Sequence, residues 1–308
     1  MEKEEKIKRK RLFLFKSIFF VTVIALLWLI IVSYRLALSN MPITPSLRVP
    51  KPTIVFAGIS KGIKPEQIRA IVRKLSVVGE ELFSDYHFII YDNDSPRVQQ
   101  MVWKEVLGNG KGTFLSEPSD RSMRQRTQKI AHARNKMLDM VHGSEYGNYD
   151  YLWIQDLDGV CGGPAGEDSY STAVFQKALD NNDKWDVLSF VYVPYWDMWA
   201  FRHPTLFPHN MYGRKASQNP PRKTVTKFIE RNMLGPTSSE FMDVDSAFMM
   251  TAIHKMWTTK LSRYYHLDEN GDPDCEHVAF YKGMKKQKQD IKIKLWPVVF
   301  CEGDPGYL

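Results

Sequence analysis

Residues 149–159 read YDYLWIQDLDG, and this run limits the fold more than any other stretch of the chain. Tyr149 to Ile154 is apolar or aromatic except for Asp150, and it leads directly into Asp156 and Asp158. A short, nearly continuous apolar run of this kind reads as a strand buried on both faces of an α/β sheet. Its two acids then fall at the carboxyl end, where open α/β sheets place their ligands. Successive strand side chains alternate faces, so acids two apart share one. Two carboxylates on one face suit a hard divalent cation that also holds phosphate oxygens. A solvated Asp-x-Asp turn is the plainer alternative.

The flanking text alternates between strand and helix. Strands are predicted at 53–58, 86–91, 112–115, 185–192, 241–250 and 291–299, with helices at 65–82, 98–107, 122–141 and 171–179. Such alternation predicts a single Rossmann-type α/β domain with a mostly parallel central sheet. Residues 203–236, polar and rich in proline, read as a long surface loop that could cover a site.

The amino-terminal region follows a different logic. Residues 1–16 hold seven Lys/Arg and three Glu, which leaves +3 of the net charge of +7 on the rest of the chain. Ser17 to Tyr34 is 18 residues without a charge, near the ~20 that a spanning helix needs. Basic residues on its amino side predict a cytosolic start and a lumenal remainder. The expected order is a basic tail at 1–16, a transmembrane signal anchor at 17–34, a proline-rich stem at 35–52 and a lumenal domain at 53–308. The folded part shows no basic stripe of the kind that marks a nucleic-acid partner; the Lys-rich 282–294 region reads as a solvated face. Of Cys161, Cys275 and Cys301, the last two are the expected pair in an oxidising compartment.

Several residues stand out as candidates for chemistry. Arg134 falls four after Ile130 and four before Leu138, so a guanidinium lies on the apolar stripe of its helix. It must pair with an acid, snorkel at the stripe's edge, or point into a ligand crevice with Asn135 beside it. Asp92 and Asp94 end the second strand in a turn cluster. Trp196, Asp197 and Arg202 form a possible sugar-binding surface in a stretch dense in aromatics, where Trp199 and Phe201 read as core. Asp243 and Asp245 form a rival Asp-x-Asp, but at the start of an apolar run. Glu276 and His277 place a candidate base beside a candidate metal ligand.

The first strand, Asp92 and Asp94, Ala133-Arg134-Asn135, and Asp156-Leu157-Asp158 together resemble a GT-A type glycosyltransferase over residues 53–299. The resemblance is to the Golgi kind with one amino-terminal anchor, and more distantly to fungal capsule-type mannosyltransferase-like proteins. It implies a nucleotide-sugar donor, a glycan or glycoprotein acceptor, Mn²⁺ or Mg²⁺, and a Golgi or ER membrane. It also implies roles. Asp92 and Asp94 would lie near the base or ribose, and Arg134 with Asn135 near the donor sugar or phosphate. Asp156 and Asp158, joined by His277, would hold the metal. Glu276 or Asp245 would serve as base in an inverting enzyme, and inverting and retaining courses both stay open. Gln155 before the first acid and the Gly-rich 162–166 loop depart from the commonest pattern. A nucleotidyltransferase and a non-catalytic lumenal scaffold are the competing classes.

Overall fold

The structure, a computed structural model, describes residue 28 and residues 50–157, 170–191, 197–234 and 241–299. Lys51–Leu308 forms one compact unit. Among the described residues no helix is long and apolar enough to cross a membrane. The predicted span, 17–34, lies outside them but for Trp28.

The chain runs β1 (Thr53–Ser60), α1 (Pro65–Leu82), β2 (Asp85–Asn93), α2 (Arg97–Leu107), β3 (Gly112–Glu117), α3 (Arg126–His142), β4 (Tyr151–Asp156), α4 (Thr172–Asp180) and β5 (Val187–Val191). It continues through α5 (Arg222–Leu234), β6 (Met242–Asp243), β7 (Thr251–Lys255), α6 (Glu276–Gln287) and β8 (Ile293–Val299). The eight strands form one sheet in the order β3-β2-β1-β4-β7-β5-β8-β6. β1 pairs in parallel with β2 and β4, β2 with β3, and β5 with β8. β7 runs antiparallel to β4 and β5, and β6 antiparallel to β8.

Local chemistry explains the elements that position the site. Proline at the first position of α1 fits an amide that has no helical partner there. The Gln67 Oε1 accepts the Lys64 N–H at 3.1 Å and closes the start of that helix. Asp150, the one charge inside the apolar run, accepts hydrogen bonds from the Thr53 N–H (2.8 Å) and Oγ1 (2.9 Å). The charge that breaks the pattern therefore ties the entry of β4 to the entry of β1. With both starts fixed and the register parallel, the ends align: Ile59 lies opposite Asp156 and Ser60 opposite Asp92.

Three predicted segments differ. The α3 helix begins at Arg126 rather than Ser122, because Asp120 accepts the Ser122 N–H at 2.8 Å and holds a turn there. The 203–236 loop contains α5, whose Val225 and Ile229, four apart, are buried. The predicted strand 241–250 is two residues of β6 and then an irregular buried segment before β7. Cys275 is a buried free cysteine, so the expected Cys275–Cys301 bridge is absent; Cys301 and Cys161 lie outside the described residues.

Gly58 lets β4 approach β1 at the end that carries Asp156. A Cβ there would lie 2.8 Å from Leu157 Cγ and 2.9 Å from the Gln155 carbonyl oxygen. Gly58→Ala is therefore expected to destabilise the protein by about 1–3 kcal/mol. A denaturant midpoint equal to wild type would show that β4 yields freely.

Candidate active site

A cavity of about 640 Å³ opens at the carboxyl ends of β1, β2 and β4. Its wall includes Ser60, Asn93, Arg134, Asp156, Asp197, Trp199, Phe248, Glu276 and His277. Volumes of this order hold drug-sized or cofactor-sized ligands.

Arg134 is the centre of the floor. The α3 stripe carries it inward among Ala133, Met137 and Leu138, and only 3% of it is exposed. Its Nη2 donates to Asp156 Oδ1 at 2.8 Å and its Nε to Glu276 Oε1 at 2.9 Å. The Phe248 and Tyr264 rings lie 5.1 and 5.7 Å from the guanidinium carbon, an arrangement favourable to a cation. Burial pulls the guanidinium pKa down, but the Asp156 and Glu276 charges outweigh burial and raise it. Removing one partner of such a buried pair typically costs about 3–5 kcal/mol. Arg134 is thus paired with two acids, and it is among the residues that line the cavity. Its Nη1 is buried without a hydrogen-bond partner.

Asp156 is fixed from behind as well. Its N–H donates to the Met250 carbonyl at 2.7 Å. Met250 adopts φ +68°, a left-handed conformation rare for a residue with a side chain. Such backbone strain persists where the surroundings over-determine it.

His277 is buried, stacks on Phe248 at 3.7 Å between ring centroids, and lies 3.7 Å from Glu276 Oε1. Burial first, then the Arg134 charge and His254, hold its pKa well below the ordinary imidazole value. Neither of its ring nitrogens has a hydrogen-bond partner. His277 is among the residues lining the same cavity as Asp156, and its imidazole is held neutral, the state a metal ligand requires. Asp156 spends Oδ1 on Arg134 and retains Oδ2. Among the described residues no three acidic, His or Cys groups gather closely enough to hold an ion by themselves. Asp158, the predicted second acid, lies outside those residues.

Asp197 is the titratable group the cavity perturbs most usefully. Burial raises its carboxyl from 3.8 to about 7, helped by the nearby Asp156 and Glu276 charges and opposed by the Ala200 N–H. Oδ1 accepts that N–H at 3.2 Å. Cys275 also lines the wall, its thiol pushed up by burial and by the Glu276 and Asp197 charges.

Other predicted site residues are placed elsewhere. Asp92 is fully buried, and its Oδ2 accepts the Ser95 N–H (3.1 Å) and the Ser116 hydroxyl (2.8 Å); it braces a turn. Asp94 is exposed at φ +66°, outside the cavity wall, which Asn93 lines instead. The Asn135 side chain clamps the Tyr264 backbone, donating to its carbonyl and accepting its N–H, both at 2.9 Å. Arg202 is buried in an ion pair with Asp274 at 2.5 Å and is committed to the core. Asp245 pairs with Lys285 at 2.6 Å and Asp243 with Lys294 at 2.5 Å, so the rival Asp-x-Asp is spent on lysines away from the cavity. Trp196 lies outside the described residues.

The sequence reading missed Trp199 as a wall residue; its indole N–H is buried and unpartnered. It also missed Lys61, Arg124, Arg126 and Lys129, which line the cavity too. The signal was present in the basic residues just ahead of the Ala133-Arg134-Asn135 helix turn.

No protein-family model matches the chain, and no curated protein matches it. Solved structures similar to it include a mannosyltransferase from Pyrobaculum calidifontis in complex with GDP-Man and Mn²⁺. That one is 10% identical with a TM-score of 0.46, over 80% of this chain and 57% of the other. Another is glucosyl-3-phosphoglycerate synthase from Mycobacterium tuberculosis with Mg²⁺ and UDP, 11% identical, TM-score 0.43, over 81% and 69%. A third is S. aureus TarS 1–349 with UDP-GlcNAc, 12% identical, TM-score 0.41, over 83% and 61%.

The raised Asp197 pKa fixes the sign of a stability effect. Below pH ~4 the carboxyl is protonated folded and unfolded, and it contributes nothing. As pH rises from there through about 7 the folded state alone retains the proton, so stability falls. Asp197→Asn is expected to unfold like wild type at pH ~4 and to be more stable by about 1–3 kcal/mol at pH ~8. Equal midpoints at both pH values would show an ordinary, solvated carboxylate.

Proposed function

We propose that the chain is a metal-dependent glycosyltransferase of GT-A type, moving a hexose from a nucleotide sugar to a glycan or glycoprotein acceptor. The observation that carries this reading is the Arg134 bridge between Asp156 and Glu276, set with His277 at the carboxyl ends of a parallel sheet.

The reaction breaks the bond between the anomeric carbon and a phosphate oxygen and forms one from that carbon to an acceptor oxygen. Positive charge grows on the sugar, as in glycoside hydrolysis, and negative charge on the departing diphosphate. A Mn²⁺ or Mg²⁺ held by Asp156, Asp158 and His277 would neutralise the leaving charge. Arg134 supplies fixed positive charge from a position that two carboxylates and two rings hold rigid. Trp199 contributes an aromatic ring to the cavity wall.

Of the acids on the wall, Glu276 is tied to Arg134. Asp197 keeps one oxygen clear of the Ala200 N–H and takes the acceptor's proton in an inverting reaction. It therefore replaces Asp245 and Glu276 in that role. The domain sits on the lumenal side of a Golgi or ER membrane, anchored by residues 17–34; the basic 1–16 segment supports this orientation.

The full chain is expected to release nucleoside diphosphate from one member of a panel of UDP- and GDP-sugars with Mn²⁺, and to lose that activity as Asp158→Ala. Asp197→Asn is expected to lower kcat by about 10²–10⁴ and to remove a rise in rate through pH ~7. Absence of turnover and of thermal shift with every donor would leave the scaffold reading. In intact microsomes the domain at 53–308 should resist added protease until detergent is present. Digestion without detergent would reverse the orientation.

A further inference from the structure

Trp199 shares a turn with the acid assigned above to the acceptor's proton. Asp197 Oδ1 accepts the Ala200 N–H at 3.2 Å, and Trp199, between the two in sequence, lines the same cavity as Asp197. That turn is held from behind. Arg202, only 1% exposed, donates from Nη1 to the Trp199 carbonyl at 2.9 Å and pairs through Nη2 with Asp274. Arg202, read from sequence as part of a sugar-binding surface, is not a wall residue; it supports one.

Against Trp199 stands Tyr212. The two rings meet edge to face, with 5.4 Å between centroids and 84° between planes. Tyr212 is not itself a wall residue, and 68% of it is exposed. A lone exposed aromatic needs no explanation. Tyr212 differs in how firmly it is presented. Its N–H donates to Asn210 Oδ1 at 3.1 Å, and the Gly213 N–H donates to the Asn210 carbonyl at 3.2 Å. Asn210 is buried, and its Nδ2 donates to the Pro273 carbonyl at 2.9 Å and to Asp268 Oδ2 at 3.3 Å. The Arg214 N–H donates to Asp272 Oδ2 at 3.2 Å. The turn is therefore tied to the 268–273 segment on both sides of Tyr212. Fixing a ring that stays in water adds little to the fold. A tyrosine held in this way binds a partner at low entropic cost, because little of it remains to be ordered.

We infer that Trp199 and Tyr212 form an acceptor subsite that stacks a sugar ring, so that the acceptor is a glycan of at least two sugars. This rests on the glycosyltransferase reading above and deepens its acceptor side. The order of the residues gives the order of the sugars. The reacting hydroxyl is offered to Asp197, Trp199 borders the sugar that carries it, and the next sugar lies on Tyr212 outside the cavity. The C–H face of a sugar ring covers an aromatic ring while its hydroxyls stay in water, and the tyrosine hydroxyl can remain in water with them. A glycan is the shared chemistry, whether it is free or carried on a protein.

The test is acceptor kinetics on the full chain with Mn²⁺ and whichever UDP- or GDP-sugar turns over. The probes are the methyl glycosides of glucose, galactose and mannose and their α- and β-linked disaccharides. At least one disaccharide is expected to show a KM about 3–10-fold below that of its monosaccharide, the gain from one stacked ring. Tyr212→Ala is expected to abolish that advantage and Tyr212→Phe to keep it. Tyr212 is exposed, so its removal spares the core, whereas loss of the half-buried Trp199 could disturb the wall itself. Tyr265→Ala, at a tyrosine 55% exposed and outside the wall, should match wild type. The same disaccharide offered on a peptide separates the sources: a further fall in KM assigns a glycoprotein, and an unchanged KM assigns a free glycan. Four results overturn the inference and leave the glycosyltransferase reading standing. They are no advantage for any disaccharide, an advantage that survives Tyr212→Ala, an effect of that variant on the donor's KM alone, and donor turnover that no saccharide stimulates. Failure of every donor to turn over removes both.

Discussion

The guanidinium of Arg134 joins the end of β4 to the start of α6, reaching a carboxylate 142 residues further along the chain. Three things follow from burying that charge. It must be neutralised, and Asp156 and Glu276 do so. Its geometry must be held, and the Phe248 and Tyr264 rings flank it, with Tyr264 itself clamped by Asn135 one residue along α3. Its two partners must arrive together, which the sheet register and the helix start both ensure. Asn135, read from sequence as a ligand contact, is thus part of the support for Arg134.

The arrangement separates charge within one cavity. Carboxylates collect around Arg134, and Lys61, Arg124, Arg126 and Lys129 line the same cavity. Burial, helped by the Asp156 and Glu276 charges, raises the Asp197 carboxyl to about 7. Conventional stability would place neither a raised carboxyl there nor arginine at a helix start. Departures of this kind are expected where a site is organised for something other than the fold alone.

Local pattern made most of the framework legible. Pro65 and the apolar stripe behind it mark α1 at its observed bounds, and the apolar run before Asp156 is β4. Arg134 was legible as an anomaly, because a cation on a core stripe breaks the pattern of its helix. Asp197 drew attention only as part of an aromatic-rich stretch, since a raised pKa needs neighbours that lie far away in sequence. Arg202 and Asp245 looked equally functional in sequence. Their partners, Asp274 and Lys285, are 72 and 40 residues away, and nothing local announces either pair. The strand at 241–250 was misread because its apolar content reflects burial, which an irregular segment satisfies as well as a strand does.

The sequence by itself determined the alternation of strands and helices, the parallel character of the sheet and the presence of acids at a strand end. Those are matters of period, run length and turn chemistry, each readable within about a dozen residues. Which acids face one cavity was decided by tertiary structure alone. Asp92 and Asp156 lie at the tips of β2 and β4, the two strands that flank β1, yet one braces a serine-lined bend and the other meets Arg134. The difference lies in what packs above each strand tip, and that is set by segments distant in the chain, whose charges are worth most to one another only after folding has removed the water between them.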